Sequence, residues 1–272
     1  MSSSNPHLAE RLLVKPGSKV HLHEFDADET HGYTKESAAD GTLKDLARLT
    51  SLQERIYAEQ KHPVLIVLQG IDTSGKDGTI RHVMSALNPQ GCTVAGFGVP
   101  TAIEAAHDHL WRIHAQTPGK GQIVVFNRSH YESVLVVRVH ELVPKEQWAP
   151  RYDQINEFEA MLAAEGATIV KFFLHIDRDE QRRRLQARYD DPTKHWKFKM
   201  GDLEERKRWD DYMAAYEDIL NRCSTDAAPW YVVPANKKWF RNLAIGEILA
   251  DRIAALKPEY PVVELPPNLV IS

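Results

Sequence analysis

The chain repeats one pattern: a short, wholly apolar run followed by a longer stretch in which apolar residues recur every three to four positions. The first run, Pro63-Val64-Leu65-Ile66-Val67-Leu68, is partly β-branched and gives way to glycine at Gly70. A run apolar at successive rather than alternate positions suits a strand buried on both faces. Similar runs recur at residues 93–97, 122–126, 168–176 and 230–233. Helical periodicity occupies residues 76–87, 103–114, 146–164, 179–189, 203–221 and 241–256. Strands alternating with helices of this length predict an α/β fold, a three-layer α/β/α arrangement with a parallel five-stranded sheet covered on both faces. Ligands of such sheets bind at the carboxyl ends of the strands. Residues 1–41 and 258–272 are the least core-like parts of the pattern.

With 272 residues and 43% apolar content the chain can bury a substantial core, so a single domain over residues 1–272 is expected, with room for a small mobile insertion. No run approaches the about 18 apolar residues that a membrane span needs. Residues 1–19 lack the continuous apolar segment of a secretion signal, so a cytoplasmic location and no membrane partner are expected. Cys92 and Cys223 are the only cysteines and give neither a disulfide framework nor a CxxC motif. A formal net charge of -4 argues against a surface built throughout to grip nucleic acid. Any polyanion site must therefore be local.

Such a site follows the first strand. In GIDTSGKDG, residues Gly70, Gly75 and Lys76 match the G-x-x-x-x-G-K part of a phosphate-binding loop, with Thr73, Ser74, Asp77 and Gly78 completing the turn. Glycines let backbone N–H groups turn toward phosphate oxygens, the helix opening at Lys76 adds its dipole, and the lysine ammonium reaches the transferring phosphate. Asp77 stands where a Ser or Thr would give its hydroxyl to magnesium. Metal coordination must then be rearranged, and Asp72 is expected to take a metal or acceptor-phosphate role. The strand at 122–126 delivers Asn127-Arg128-Ser129-His130-Tyr131-Glu132 to the same sheet edge. There Arg128 can pair bidentately with phosphate oxygens and Glu132 could hold magnesium through water.

Between Arg178 and Lys199 eight Lys or Arg stand against four acids. Arg184 and Arg188 lie one helical turn apart, and Asp191-Pro192 ends that helix before Lys194-His195-Trp196-Lys197. A lid over about residues 178–208, closing on a polyanion, is the expectation. The run His107 to His114 invites a zinc reading, but no paired set of further ligands converges on it. It reads as a helix flanking an acceptor site, with Trp111 packed into the core.

Together, GIDTSGKDG, FNRSHYE, RYDDPTKHWK, Trp209 and APWYVVPANKKW resemble the family-2 polyphosphate kinases over roughly residues 65–249. The resemblance implies a thymidylate-kinase-like fold with a helical lid, Mg2+ dependence, polyphosphate as phosphoryl donor and a nucleoside mono- or diphosphate as acceptor. It implies Asp72, Lys76, Arg128 and Arg188 as the catalytic set, and a homo-oligomer. Part of the family carries aspartate where Asn127 stands, so metal binding must lean on Asp72 and Glu132. The FNRSHYE form resembles members that accept AMP as well as ADP. Arg184, Lys194 and Lys197 are expected to line the path of the polyanion. Two rivals remain open: an ATP-dependent nucleotide kinase, and a module that binds phosphate without turnover.

Overall fold

The computed structural model describes residues 7–265. Six strands form one sheet: β1 (Leu13–Val14), β2 (Val64–Gln69), β3 (Cys92–Gly96), β4 (Ile123–Asn127), β5 (Thr168–His175) and β6 (Trp230–Pro234). Their order is β1-β6-β5-β2-β4-β3. The five strands expected from sequence are all present and parallel to one another. The sixth, β1, is a two-residue antiparallel edge pairing Leu13 with Tyr231 and Val14 with Trp230. So short a strand carries no legible periodicity, and its pairing across more than two hundred positions is set by tertiary contact.

Every residue of β2 and β6 is buried, as runs apolar at each position require when helices cover both faces. The helix Lys238–Ala254 packs on the long helix Lys35–Glu59 and on Lys76–Val83, while Arg151–Ala164 packs with Trp209–Cys223. Lys35–Glu59 lies largely within a region where the apolar pattern showed no helix. It opens on a capping box in which Thr34 and Ser37 exchange hydrogen bonds, and it buries Leu49, Leu52 and Ile56. The N-terminal region is thus part of the core, with Leu8, Leu12, Val14, Val20 and Leu22 buried as well.

Three expected helices are broken. The stretch 103–114 forms two single turns, Ala102–Ala105 and Trp111–His114. The Thr101–Glu104 capping box opens the first, and an Asp108 side chain accepting from Leu110 N makes the turn between them. Trp111 is 45% exposed and stacked on His107 rather than packed in the core. Pro150 divides 146–164 into Lys145–Trp148 and Arg151–Ala164. The third, 203–221, divides at Arg208.

Register positions the site. Leu68 of β2 stands opposite Asn127 of β4, and Gln69 opposite Phe173 of β5. The two segments that follow β2 and β4 therefore leave the sheet level with each other, at its carboxyl edge.

Candidate active site

The turn after β2 is shaped by what surrounds it. Gly70 has φ 149° and Gly75 φ 111°, and a Cβ on Gly70 would lie 2.8 Å from Leu174 O. A Cβ on Gly75 would lie 1.8 Å from Arg241 Nη1. Glycine at 75 is demanded by the backbone conformation, and its missing side chain leaves the space that the guanidinium fills. Thr73 adopts φ 71°, and its Oγ1, like Ser74 Oγ and Thr79 Oγ1, is buried without a protein partner. Unpaired buried hydroxyls around a phosphate-sized turn are donors held ready for oxygen atoms.

Lys76 opens the helix and is buried, its ammonium donating to Gly70 O at 2.6 Å and to Ile71 O at 3.4 Å. Burial pushes the Lys76 ammonium down to about 8, against the opposing pull of Asp72. Reaching a phosphate means exchanging those carbonyls for phosphate oxygens, which suit the charge better.

Arg128, at φ 65°, is held in the left-handed region by its N–H donating to Leu68 O at 3.1 Å. Such a conformation costs about 1 kcal/mol or more for a residue with a side chain. It aims the guanidinium at the loop, where Nη2 donates to Asp72 Oδ1 at 2.8 Å and Nη1 lies 3.9 Å from Glu132 Oε2. Burial raises the Glu132 carboxyl, with Arg128 opposing, and Glu132 accepts from Gln69 Nε2 at 3.1 Å. Asn127 Nδ2 donates to Asp77 Oδ1 at 3.0 Å, and Lys197 Nζ to Asp77 Oδ2 at 3.2 Å. Burial would raise the Asp77 carboxyl, but these two hydrogen bonds outweigh it and hold it low.

The lid region is helical, Arg178–Asp190, followed by a 3-10 turn, Pro192–Lys197, and the helix Gly201–Lys207. The four of its basic residues expected at the site, Arg184, Arg188, Lys194 and Lys197, do not form one row. Arg184 lies beneath the loop, donating to Thr73 O, Ser74 O, Ala235 O and Asn236 O at 2.6–3.0 Å and pairing with Glu180. Arg188 reaches Asp202 at 3.8 Å. Lys194 pairs with Asp191 at the periphery, and Lys197 pairs with a loop side chain, Asp77, where Arg184 meets only loop carbonyls.

Sequence reasoning missed three groups. Asp202 faces the cluster, its carboxyl raised by burial and by the Asp72 charge. Arg241 is buried against Gly75 and Gly78, and burial together with Arg184 pushes it down to about 10. An arginine on the apolar face of a helix was the available signal. The third group sits under FNRSHYE. Glu159 accepts from Tyr131 Oη at 2.9 Å and contacts His130 Nε2 at 2.9 Å, and Lys171 Nζ donates to Glu159 at 2.5 Å and to Tyr131 Oη at 2.8 Å. This buried ion pair anchors His130 and Tyr131, two of the three residues between Arg128 and Glu132. A lysine inside the apolar run of β5 was its sequence signal.

A strand, a glycine turn around a buried lysine, an arginine from the neighbouring strand end and a basic helical segment define a P-loop phosphotransferase site. A family model described as Polyphosphate kinase 2 (PPK2) matches residues 33–261, and the chain belongs to that family. It is 54% identical over 256 residues to an AMP/ADP-polyphosphate phosphotransferase of Meiothermus ruber, covering 93% of this chain and 95% of that protein. It is 46% identical over 265 residues to an ADP-polyphosphate phosphotransferase of Rhodopseudomonas palustris, covering 93% and 92%. The crystal structure of a polyphosphate kinase 2 from Arthrobacter aurescens superposes with a TM-score of 0.92 at 43% identity, covering 96% of this chain and 94% of that one.

Proposed function

We propose that this chain transfers phosphoryl groups between inorganic polyphosphate and ADP, and also AMP, in either direction. The observation that carries the reading is the convergence of Lys76, Arg128 and Lys197 on one loop that also presents Asp72 and Asp77. Two polyanions meet there. A terminal phosphate oxygen of the nucleotide attacks the end phosphorus of polyphosphate, and the bridging bond to the rest of the chain breaks. The leaving chain, one phosphate shorter, carries away the electron pair. No nucleophilic side chain is required, so this chain's residues position the reactants and neutralise charge.

Lys76 and the loop N–H groups are set against the transferring phosphoryl, Arg128 beside them, with Arg188 closing from the lid. Magnesium is part of the reading, and the residues fit it: Asp72, Glu132 and the Asn127 amide oxygen are hard oxygen donors. The raised Glu132 carboxyl is an acid that a cation would relieve. Bound there, the ion would draw charge from phosphate oxygens. Among the described residues no helix is long and apolar enough to cross a membrane; a cytoplasmic location and assembly into a homo-oligomer belong to the same proposed reading.

The test is purified protein given ADP, polyphosphate and Mg2+ with no ATP, followed by luciferase. ATP should appear in proportion to polyphosphate consumed. If phosphate moves only when ATP is the donor, the protein is an ordinary nucleotide kinase and the reading fails; if none moves, it is a binding module.

A further inference from the structure

Far from the phosphate loop along the chain, the N-terminal segment crosses the helix Trp209–Cys223 at a 3-10 turn, Leu22–Glu24. Its side chains alternate. Leu22 is buried, so His21 and His23 flank it on the outer side, their rings 5.6 Å apart. His21 Nδ1 lies 3.0 Å from Glu217 Oε1. The segment is fixed to the helix from three sides: Leu22 N donates to Glu217 Oε2 at 2.8 Å, Val20 N to Asn221 Oδ1 at 2.6 Å, and Asn221 Nδ2 to Val20 O at 3.0 Å. Glu217 and Asn221 are one helical turn apart and share a face. One ligand atom from each of His21, His23 and Glu217 lies within 4.8 Å of the others.

We propose that His21, His23 and Glu217 bind one transition-metal ion, Zn2+ being the best match. Two imidazoles and a carboxylate are the ligand set of open zinc sites, with a fourth position left to water or another oxygen donor. Ligand atoms around tetrahedral zinc stand about 3.4 Å apart, as bonds of about 2.0–2.1 Å require. Closing this group onto an ion needs only small rotations of half-exposed side chains, because Leu22 and the three backbone hydrogen bonds already fix the main chain. Glu217 Oε2 keeps its bond to Leu22 N while Oε1 turns to the metal. Mg2+ is a poor fit, since it takes six oxygen donors and keeps its water. The site is therefore separate from the magnesium reading of the phosphate loop and does not depend on it. A second group, His7 with Glu247 and Asp251, offers one imidazole, and its Asp251 is held by Arg48 at 2.6 Å. It serves as a control.

Metal-free, full-length protein is titrated with Co2+, read by visible absorption, and then with Zn2+ in competition, polyphosphate being left out because it chelates both. The expected result is one Co2+ per chain with intense tetrahedral bands, displaced by Zn2+ with a dissociation constant of about 10 µM or below. His23→Ala and Glu217→Gln should each weaken Zn2+ binding at least about tenfold. His7→Ala should not. Thermal midpoints without metal show that the variants are folded, and Zn2+ should raise the midpoint of wild type but not of His23→Ala. Zn2+ affinity unchanged in both site variants, a loss with His7→Ala of equal size, or wild-type binding weaker than about 1 mM each overturns the proposal.

Discussion

Lys76 is a buried cation with one role to play while protonated. The role proposed for its ammonium, pushed down by burial to about 8, requires the charge, so kcat/KM should fall as pH rises through about 8 in the free enzyme. Lys76→Arg should move that limb to higher pH, and a limb that stays in place would assign it to another group. The same shift bears on stability with the opposite sign: the unfolded chain keeps its proton up to about 10.5, so this residue's contribution rises as pH goes from about 8 to 10.5. Lys76→Ala should lower turnover about 10²- to 10³-fold, as loss of a transition-state charge does. Circular dichroism should show the variant folded. Asp72 touches Arg128 within the cluster, whereas Asp77 holds Asn127 and the lid residue Lys197. Asp72→Asn should therefore cost more turnover than Asp77→Asn, and the reverse order would make Asp77 the metal-side carboxylate.

At the scale of elements, the strand ends hold the chemistry and the helices hold the strand ends. The Glu159–Lys171 pair joins the helix Arg151–Ala164 to β5 beneath His130 and Tyr131. Glu159→Ala leaves a buried ammonium unpaired, so urea unfolding should show a loss of about 3–5 kcal/mol. Loss below about 1 kcal/mol would mean water reaches Lys171. The elements differ in how legible they were. β2, β4 and β5 could be read directly, since a strand covered on both faces is apolar at nearly every position, Lys171 being the exception inside β5. Asp72, Lys76 and Arg128 could be placed because a glycine turn after a strand has one geometry and a parallel neighbour ends level with it. Arg241 stood out as an arginine on an apolar helix face, but neither it nor Asp202 could be placed at the loop, because nothing local says which distant segment such a side chain reaches. The stretch 103–114 was misread for the converse reason: Ile103 and Trp111 are 69% and 45% exposed while Ile113 is buried, so its apolar positions do not share one covered face. Leu49, Leu52 and Ile56 had helical spacing that could have been read; the polar residues around them diluted it.

For the whole molecule, a chain of net charge -4 gathers Lys76, Arg128 and Lys197 at one edge of its sheet. Lys197 bridges the lid to Asp77 while Lys194 stands 52% exposed beyond it. Replacing both by Ala should raise the apparent KM for long polyphosphate and flatten its salt dependence, with less effect on very short chains. Arg188→Ala should instead lower turnover at saturating donor. If the lysine variants alter only nucleotide binding, the polyphosphate does not pass along the lid. The same architecture orders events during biosynthesis. The glycine turn proposed to receive phosphate is written early in the chain, but it is shaped from beneath by Arg184 and by Arg241 on the Lys238–Ala254 helix, and the sheet edge waits for β6 to receive β1. A ribosome therefore translates the phosphate-binding segment long before that segment can acquire its shape. A nascent chain arrested before residue 230 should bind no polyphosphate, so the growing polypeptide stays inert toward a polyanion until its last helix emerges.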